Sequence, residues 1–258
     1  MIAPKQNTTS QHRQLWAVIP ASGIGARMGV GIPKQYLLLC GKTILEHTLH
    51  KINQVENLSG IVLVLDANDQ YWPTLNCNSI PNLHVVHGGA SRAQSVKNGL
   101  SYIAKKIANN TANNTGQDQE VKVLVHDAAR PCVNVKNIET LVASCERANQ
   151  GGILAAPVAD TVKRAVEQGE APAVQATVDR SLLWLAHTPQ YFELHCLLNA
   201  LNHCEQAGLE VTDEASAIEQ TGGQVLLVAD GKDNIKITLP EDMLVAEAIL
   251  VNQLKQGT

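Results

Sequence analysis

From Leu15 nearly to its last residues the chain alternates short apolar runs with amphipathic stretches. Leu15–Ile19 and Ile61–Leu65 are unbroken apolar runs, the pattern of strands covered on both faces, as in a parallel sheet. Leu83–Val86, Val121–Val125, Gly152–Val158 and Val225–Val228 repeat it more briefly, and Asn234–Ile237 predicts one further short strand. Helical patterns fall between them. Thr43–Gln54 puts Ile44, Leu45, Thr48, Leu49 and Ile52 on one face, and Ser91–Ile107 follows with Ser91 as its N-cap. Further helices are expected over Asn134–Asn149 and after Pro189-Gln190 to about Ala207. Thr212–Gln220 opens with a Thr cap and early acids, and Pro240–Leu254 closes the chain with Pro in its first turn.

The rhythm breaks once. Thr161–Val166 and Ala173–Val178 resemble two strands joined by the turn-rich E-Q-G-E-A-P, a hairpin inserted where a helix was due. Such an arm either folds over the site or reaches a neighbouring subunit, and its low aromatic content points to the latter. No repeat or linker divides the rest. The expectation is a single α/β domain over 15–258 with an inserted β-hairpin arm at 159–180, preceded by a flexible extension at 1–14. Its architecture is a Rossmann-like, doubly wound, mostly parallel sheet. Asn109–Gln119, polar and low in complexity, is expected to be a disordered surface loop.

Composition changes this picture little but narrows the function. A net charge of −4 without a basic block gives no reason to expect nucleic acid. The six cysteines include no C-x-x-C pair and are expected to be reduced thiols of a cytoplasmic protein. The pairs His47/His50 and His84/His87 lack a third ligand at useful spacing. The polar start has no apolar core of a secretory signal, and no run approaches the ~20 apolar residues of a membrane helix.

Candidate chemistry centres on Val18–Tyr36, V-I-P-A-S-G-I-G-A-R-M-G-V-G-I-P-K-Q-Y. Glycines at 23, 25, 29 and 31 let the backbone turn its N–H groups toward an anion, and Arg27 and Lys34 supply charge. It is not a dinucleotide fingerprint, because Met28 stands where the third glycine belongs. Nor does Gly41-Lys42-Thr43 end a P-loop, because Tyr36 occupies the first glycine position. Polar residues recur at other strand ends: Gly88-Gly89 with Arg92 and Ser95, Asp127 and Arg130, Thr161, Asp179-Arg180, Thr188, Thr212-Asp213 and Lys236. In open α/β sheets ligands bind at those ends. No Ser-His-Asp or Cys-His pattern suggests a protein nucleophile. Phosphoryl-type transfer needs mainly positioning and charge neutralisation, which cations in a glycine loop and an acid able to hold a divalent ion can provide.

Eight segments in register carry a resemblance: P-A-S-G-I-G-A-R-M-G with I-P-K-Q-Y, G-G-A-S-R-A-Q-S-V, V-H-D-A-A-R-P, A-P-V-A-D-T-V-K, T-V-D-R, T-P-Q, T-D-E-A-S and N-I-K-I-T-L-P-E-D. Together they resemble the 2-C-methyl-D-erythritol 4-phosphate cytidylyltransferases. The resemblance implies a Mg²⁺-dependent reaction of CTP with methylerythritol phosphate in the non-mevalonate isoprenoid pathway, giving the CDP-alcohol and pyrophosphate. It implies that Arg27 and Lys34 bind the triphosphate and that Arg180 and Lys236 hold the attacking phosphate. Pro20, Ala21, Ser22, Gly23, Gly25, Gly89, Ser95 and Ala128 would line the nucleotide. Asp127, Arg130, Thr161, Thr188 and Thr212 would surround the sugar alcohol, with Asp127 a candidate metal ligand. A homodimer through the 159–180 arm would bring Thr161 and Arg180 to the neighbour's site. Ala26, Ala90 and Leu239 depart from the pattern. A cytidylyltransferase for another polyol phosphate, such as ribitol 5-phosphate, and a non-catalytic CTP-binding protein remain open.

Overall fold

The computed structural model describes residues 14–23, 31–77, 79–111, 120–168 and 171–256. The 1–14 extension but for Gln14, residues 24–30 of the glycine loop with Gly25 and Arg27, and residues 112–119 lie outside the described residues.

In chain order the elements are β1 (Gln14–Pro20), a two-residue ribbon β2 (Leu38–Leu39) and β3 (Lys42–Thr43), α1 (Ile44–Ile52), β4 (Leu58–Leu65), β5 (Leu83–His87) and α2 (Arg92–Thr111). Then come β6 (Val121–Val125), α3 (Val135–Ala148), β7 (Gly152–Pro157), β8 (Val162–Gln168), β9 (Ala171–Val178) and β10 (Trp184–Glu193). The chain continues with α4 (Leu194–Ala207), α5 (Glu214–Gln220), β11 (Leu226–Ala229) and α6 (Asp242–Gln256). Seven strands form one sheet in the order β11-β7-β10-β6-β1-β4-β5, with β10 antiparallel to both its neighbours and every other pair parallel.

The unbroken apolar runs are explained by this layering. In β1, Ala17 and Ile19 face a core shared with α1 and α3, while Trp16 and Val18 face a second core shared with α2, α4 and α5. Each fully buried Val, Leu or Ile contributes about 1.5–3 kcal/mol, and because both faces are covered, a one-residue slip of β1 would exchange the side chains that the two cores are packed around. A third cluster joins Leu39, Ile44, Cys132 and Ile237 to Ala246 and Leu250 of α6, pinning the 235–237 segment to the body. Thr43 caps α1 through a capping box with Glu46, and Ser91 accepts from Gln94 N–H at the start of α2.

Several expectations are corrected. The segment before α4 is a ten-residue antiparallel strand, β10, which was not foreseen. Pro189 has no N–H to donate and would break a regular ladder, but the pairing with β7 shifts register between Ala186 and Gln190 and so passes it by. Asn234–Ile237 forms no strand: Ile237 N–H donates to Ala129 O and Ile237 O accepts from a side chain, so its backbone bonds are not a ladder. Asp213, not Thr212, caps α5, accepting from Ser216 N–H at 2.9 Å. Finally, α2 continues through residues 109–111, which the polar composition had assigned to a loop.

The hairpin is present. β8 and β9 make a separate antiparallel two-stranded sheet, exposed along most of its length. Val166 and Val174 on it, and Leu182, Trp184 and Leu185 just after it, are exposed apolar side chains. All six cysteines are free thiols. Burial pushes Cys77 and Cys145 up to about 11 and Cys132 up to about 12, so these are not poised nucleophiles. Among the described residues no helix is long and apolar enough to cross a membrane.

Gly99 lets α2 approach the sheet: a Cβ there would meet Val18 Cγ1 at 2.7 Å and Val64 Cγ2 at 3.1 Å. Alanine would favour the helix by about 0.5–1 kcal/mol, but overpacking costs about 1–3 kcal/mol. Gly99→Ala is therefore expected to be net destabilising, read as a lower urea midpoint with an unchanged slope.

Candidate active site

β1 pairs with β4 on one side and β6 on the other, and chain order reverses across it. The carboxyl ends of β1 and β6 thus splay apart at a topological switch point, where this sheet class opens a crevice. A cleft of about 320 Å³ lies there, bounded by Pro20–Gly23, Lys34-Gln35, Gly89–Arg92, Asp127–Ala129 and Lys236.

One end of it is small and uncharged. Ser95, fully buried, donates its hydroxyl to Ser91 O at 2.9 Å and accepts from Gly89 N–H at 3.1 Å. Because its one hydrogen is committed, the Ser22 hydroxyl 2.8 Å away is the donor in their contact. Gly88 allows the close approach, since a Cβ there would lie 2.7 Å from Ser22 Cβ. Gln35, also buried, donates to Ala21 O at 2.7 Å and Gly23 O at 3.1 Å, holding the backbone just after β1.

The other end is charged and organised around Asp127. Its Oδ1 accepts from Arg92 Nε at 3.1 Å, its Oδ2 lies 2.9 Å from Lys236 Nζ, and Arg130 Nε is 3.5 Å away. Burial alone would raise the carboxyl's pKa, but Arg92, Lys236 and Arg130 outweigh it and hold Asp127 well below the usual carboxylate range. Arg92 also grips Glu214 with both terminal nitrogens, at 2.7 and 3.1 Å. Burial works against the Arg92 charge, yet Glu214 and Asp127 together keep it protonated. Burial pushes Glu214 up, and the Arg92 fork offsets only part of that.

Behind Asp127 lies a polar layer. Thr188 Oγ1 accepts from Asp127 N–H at 3.0 Å and sits 3.0 Å from His126 Nδ1, while His126 Nε2 faces Arg130 O at 3.2 Å. A carbonyl only accepts, so Nε2 carries the hydrogen and Nδ1 accepts from Thr188. Arg130 donates to Asn234 O at 2.6 Å, and Asn234 Nδ2 donates to Thr188 O at 2.9 Å and Asp230 Oδ2 at 2.7 Å. Lys34 Nζ donates to Ile237 O at 2.7 Å, which ties it to the residue next to Lys236.

The structure brings together Pro20, Ala21, Ser22, Gly23, Lys34, Gly89, Asp127, Ala128 and Lys236 at one cleft. Ser95, Arg130 and Thr188 are buried behind its wall and act on it through hydrogen bonds. Thr212 lies on the exposed turn before α5, its N–H donating to Ser216 Oγ, and does not line the cleft. Thr161 and Arg180 are exposed at the base of the arm, with Arg180 donating to Ala159 O, and do not line their own chain's cleft. Sequence reasoning missed Gln35, His126, Glu214 and Asn234. Their side chains look like loop or helix-start residues, and Glu214 in particular passes for an acid suiting a helix N-terminus. Among the described residues no group of three His, Cys, Asp or Glu side chains is arranged to hold a metal ion.

Burial lowers His126 to about 4, against about 6.5 in an unfolded chain. A depressed histidine contributes stability that is fully present above the unfolded value and lost as pH falls toward the folded one. The expected loss between about pH 6.5 and pH 4 is on the order of 3 kcal/mol. Urea midpoints across that range should fall, and His126→Gln should flatten the fall.

The family model for IspD, 2-C-methyl-D-erythritol 4-phosphate cytidylyltransferase, matches residues 15–252. A Haemophilus influenzae protein named 2-C-methyl-D-erythritol 4-phosphate cytidylyltransferase is 46% identical over 92% of this chain and 97% of its own length. A Photobacterium profundum protein of the same name is 42% identical over 95% of this chain and 99% of its own. The crystal structure of the Francisella tularensis 2-C-methyl-D-erythritol 4-phosphate cytidylyltransferase superposes with a TM-score of 0.74 at 34% identity, covering 92% of this chain and 99% of that one. With that match spanning the sheet, the cleft and the arm, the chain belongs to the 2-C-methyl-D-erythritol 4-phosphate cytidylyltransferase family.

Proposed function

We propose that this chain transfers CMP from CTP to 2-C-methyl-D-erythritol 4-phosphate, giving 4-diphosphocytidyl-2-C-methyl-D-erythritol and pyrophosphate, in the cytoplasm. The observation that carries the reading is the cleft at the β1/β6 switch point, neutral at one end and cationic at the other. The small end, with Pro20–Gly23, Gly25, Gly89, Ser95 and Ala128, takes the nucleoside. Arg27 and Lys34 take the triphosphate, and Lys236 takes the acceptor's phosphate. An oxygen of that phosphate attacks the α-phosphorus of CTP in line, a new P–O–P bridge forms, and the bond to pyrophosphate breaks. No general base is required, because the phosphate is already anionic at neutral pH. The protein's task is to hold two anions together and absorb the charge that builds as pyrophosphate leaves.

Asp127, set by Arg130 and Thr188 from behind, meets the sugar alcohol. A divalent cation, Mg²⁺ in this reading, neutralises phosphate charge when bound. With one carboxylate among the described residues of the cleft, it would be held mainly by the nucleotide's phosphates and water, with Asp127 the protein group at hand.

Thr161 and Arg180 enter the site from a second copy. Support comes from their absence from the lining of their own cleft and from the exposed Val174, Leu182 and Leu185, which an intersubunit contact would cover. The pairing is reciprocal, as closed two-fold dimers require.

Lys34→Ala is expected to lower turnover on the order of a hundredfold or more, measured as pyrophosphate release. Near-normal turnover would reject its role. Mixing Lys34→Ala chains with Arg180→Ala chains through unfolding and refolding should restore up to about a quarter of wild-type activity, since half the mixed dimers' sites then contain neither lesion. No recovery would place Arg180 in its own chain's site.

A further inference from the structure

Asp127 is held by three cations, but they are not equivalent. Lys236 reaches it with one ammonium on a side chain 41% exposed, whereas the Arg92 side chain spends Nε on Asp127 and both terminal nitrogens on Glu214. The Glu214 side chain is fully buried, at 0% exposure, and does not itself line the cleft. It arrives from α5, 122 residues after Arg92, on a helix whose cap, Asp213, is itself tied to Gln190 at 2.8 Å. An arginine gripped at three nitrogens has lost the freedom to follow a substrate; a lysine held by one contact has kept it.

From this we infer that Glu214 is a positioning residue for the cytidylyl transfer: through Arg92 it fixes the Asp127 carboxylate, so that Lys236 is the cation that leaves Asp127 to meet the incoming phosphate. The inference rests on the reaction proposed above and adds two residues to it. Arg92 is a buttress, not a phosphate ligand. Without Glu214 the guanidinium is free to turn away from Asp127, and Asp127 loses its fixed direction. Displacements of this kind, about an ångström, cost on the order of a hundredfold in rate.

The test uses the full chain with CTP and methylerythritol phosphate. Glu214→Gln is expected to raise KM for methylerythritol phosphate and lower kcat/KM for it on the order of a hundredfold. The CTP dissociation constant, measured by equilibrium dialysis without acceptor, should stay unchanged. A role in folding alone would reduce the active fraction, lowering kcat while leaving KM unchanged, and that result overturns the inference. Glu214→Asp, which keeps the charge but shortens the reach, carries the same test if the glutamine variant does not accumulate. Because Glu214 acts through Arg92, adding Glu214→Gln to Arg92→Lys should bring little further loss; losses that multiply would also overturn it. The wild-type rate tests the reaction, and the variants test the buttress.

Discussion

The buried carboxylate of Asp127 is the constraint from which the active site follows. A carboxylate taken out of water costs several kcal/mol unless charge and hydrogen bonds replace the lost hydration. Here Arg92, Lys236 and Arg130 replace it, and Thr188 secures the backbone beneath. Each of those groups belongs to a different part of the chain, so satisfying one anion draws together the start of α2, the end of β6, β10 and the segment before α6. Removing a partner from such a cluster leaves a charge uncompensated, typically at 3–5 kcal/mol, about as much as a large fraction of a domain's whole stability.

The sheet makes that convergence possible. Parallel strands bring their carboxyl ends to one edge, and the reversal of order at β1 leaves a gap there. The antiparallel β10 runs the other way and so delivers its middle, Thr188, to the same edge from the opposite direction. Its first residues continue directly from the arm. One strand therefore couples the interior of the site to the exposed hairpin that would serve a neighbouring copy.

The two ends of the cleft are built by different physics. At the uncharged end, small residues and committed hydrogen bonds make the wall: Ser22, Ser95 and Gln35 are each fixed by a hydrogen bond, and Gly88 leaves the room they need. At the charged end the groups have alternatives. Lys236 can exchange Asp127 for another anion, and Lys34 holds a carbonyl that a phosphate can outbid. Rigid recognition beside exchangeable charge suits a reaction in which one substrate must be oriented and two anions must be brought together.

Much of this was legible in the amino-acid sequence. The buried strands showed as unbroken apolar runs because both faces are covered, and the hairpin showed because its alternation and turn residues are local. Lys34, Asp127 and Lys236 stood out as charged residues after predicted strands, although the segment that carries Lys236 forms no strand. β10 did not show, because Pro189 mimics a helix start and only the shifted pairing with β7 lets it remain in the ladder. Glu214 and His126 did not show either, because an acid in a first helical turn and a histidine after a strand have ordinary local explanations. Local spacing determined which residues are buried and on which elements; which charge meets which, across separations such as the 122 residues between Arg92 and Glu214, was decided only when the tertiary structure packed their elements together, with Glu214 removed from solvent.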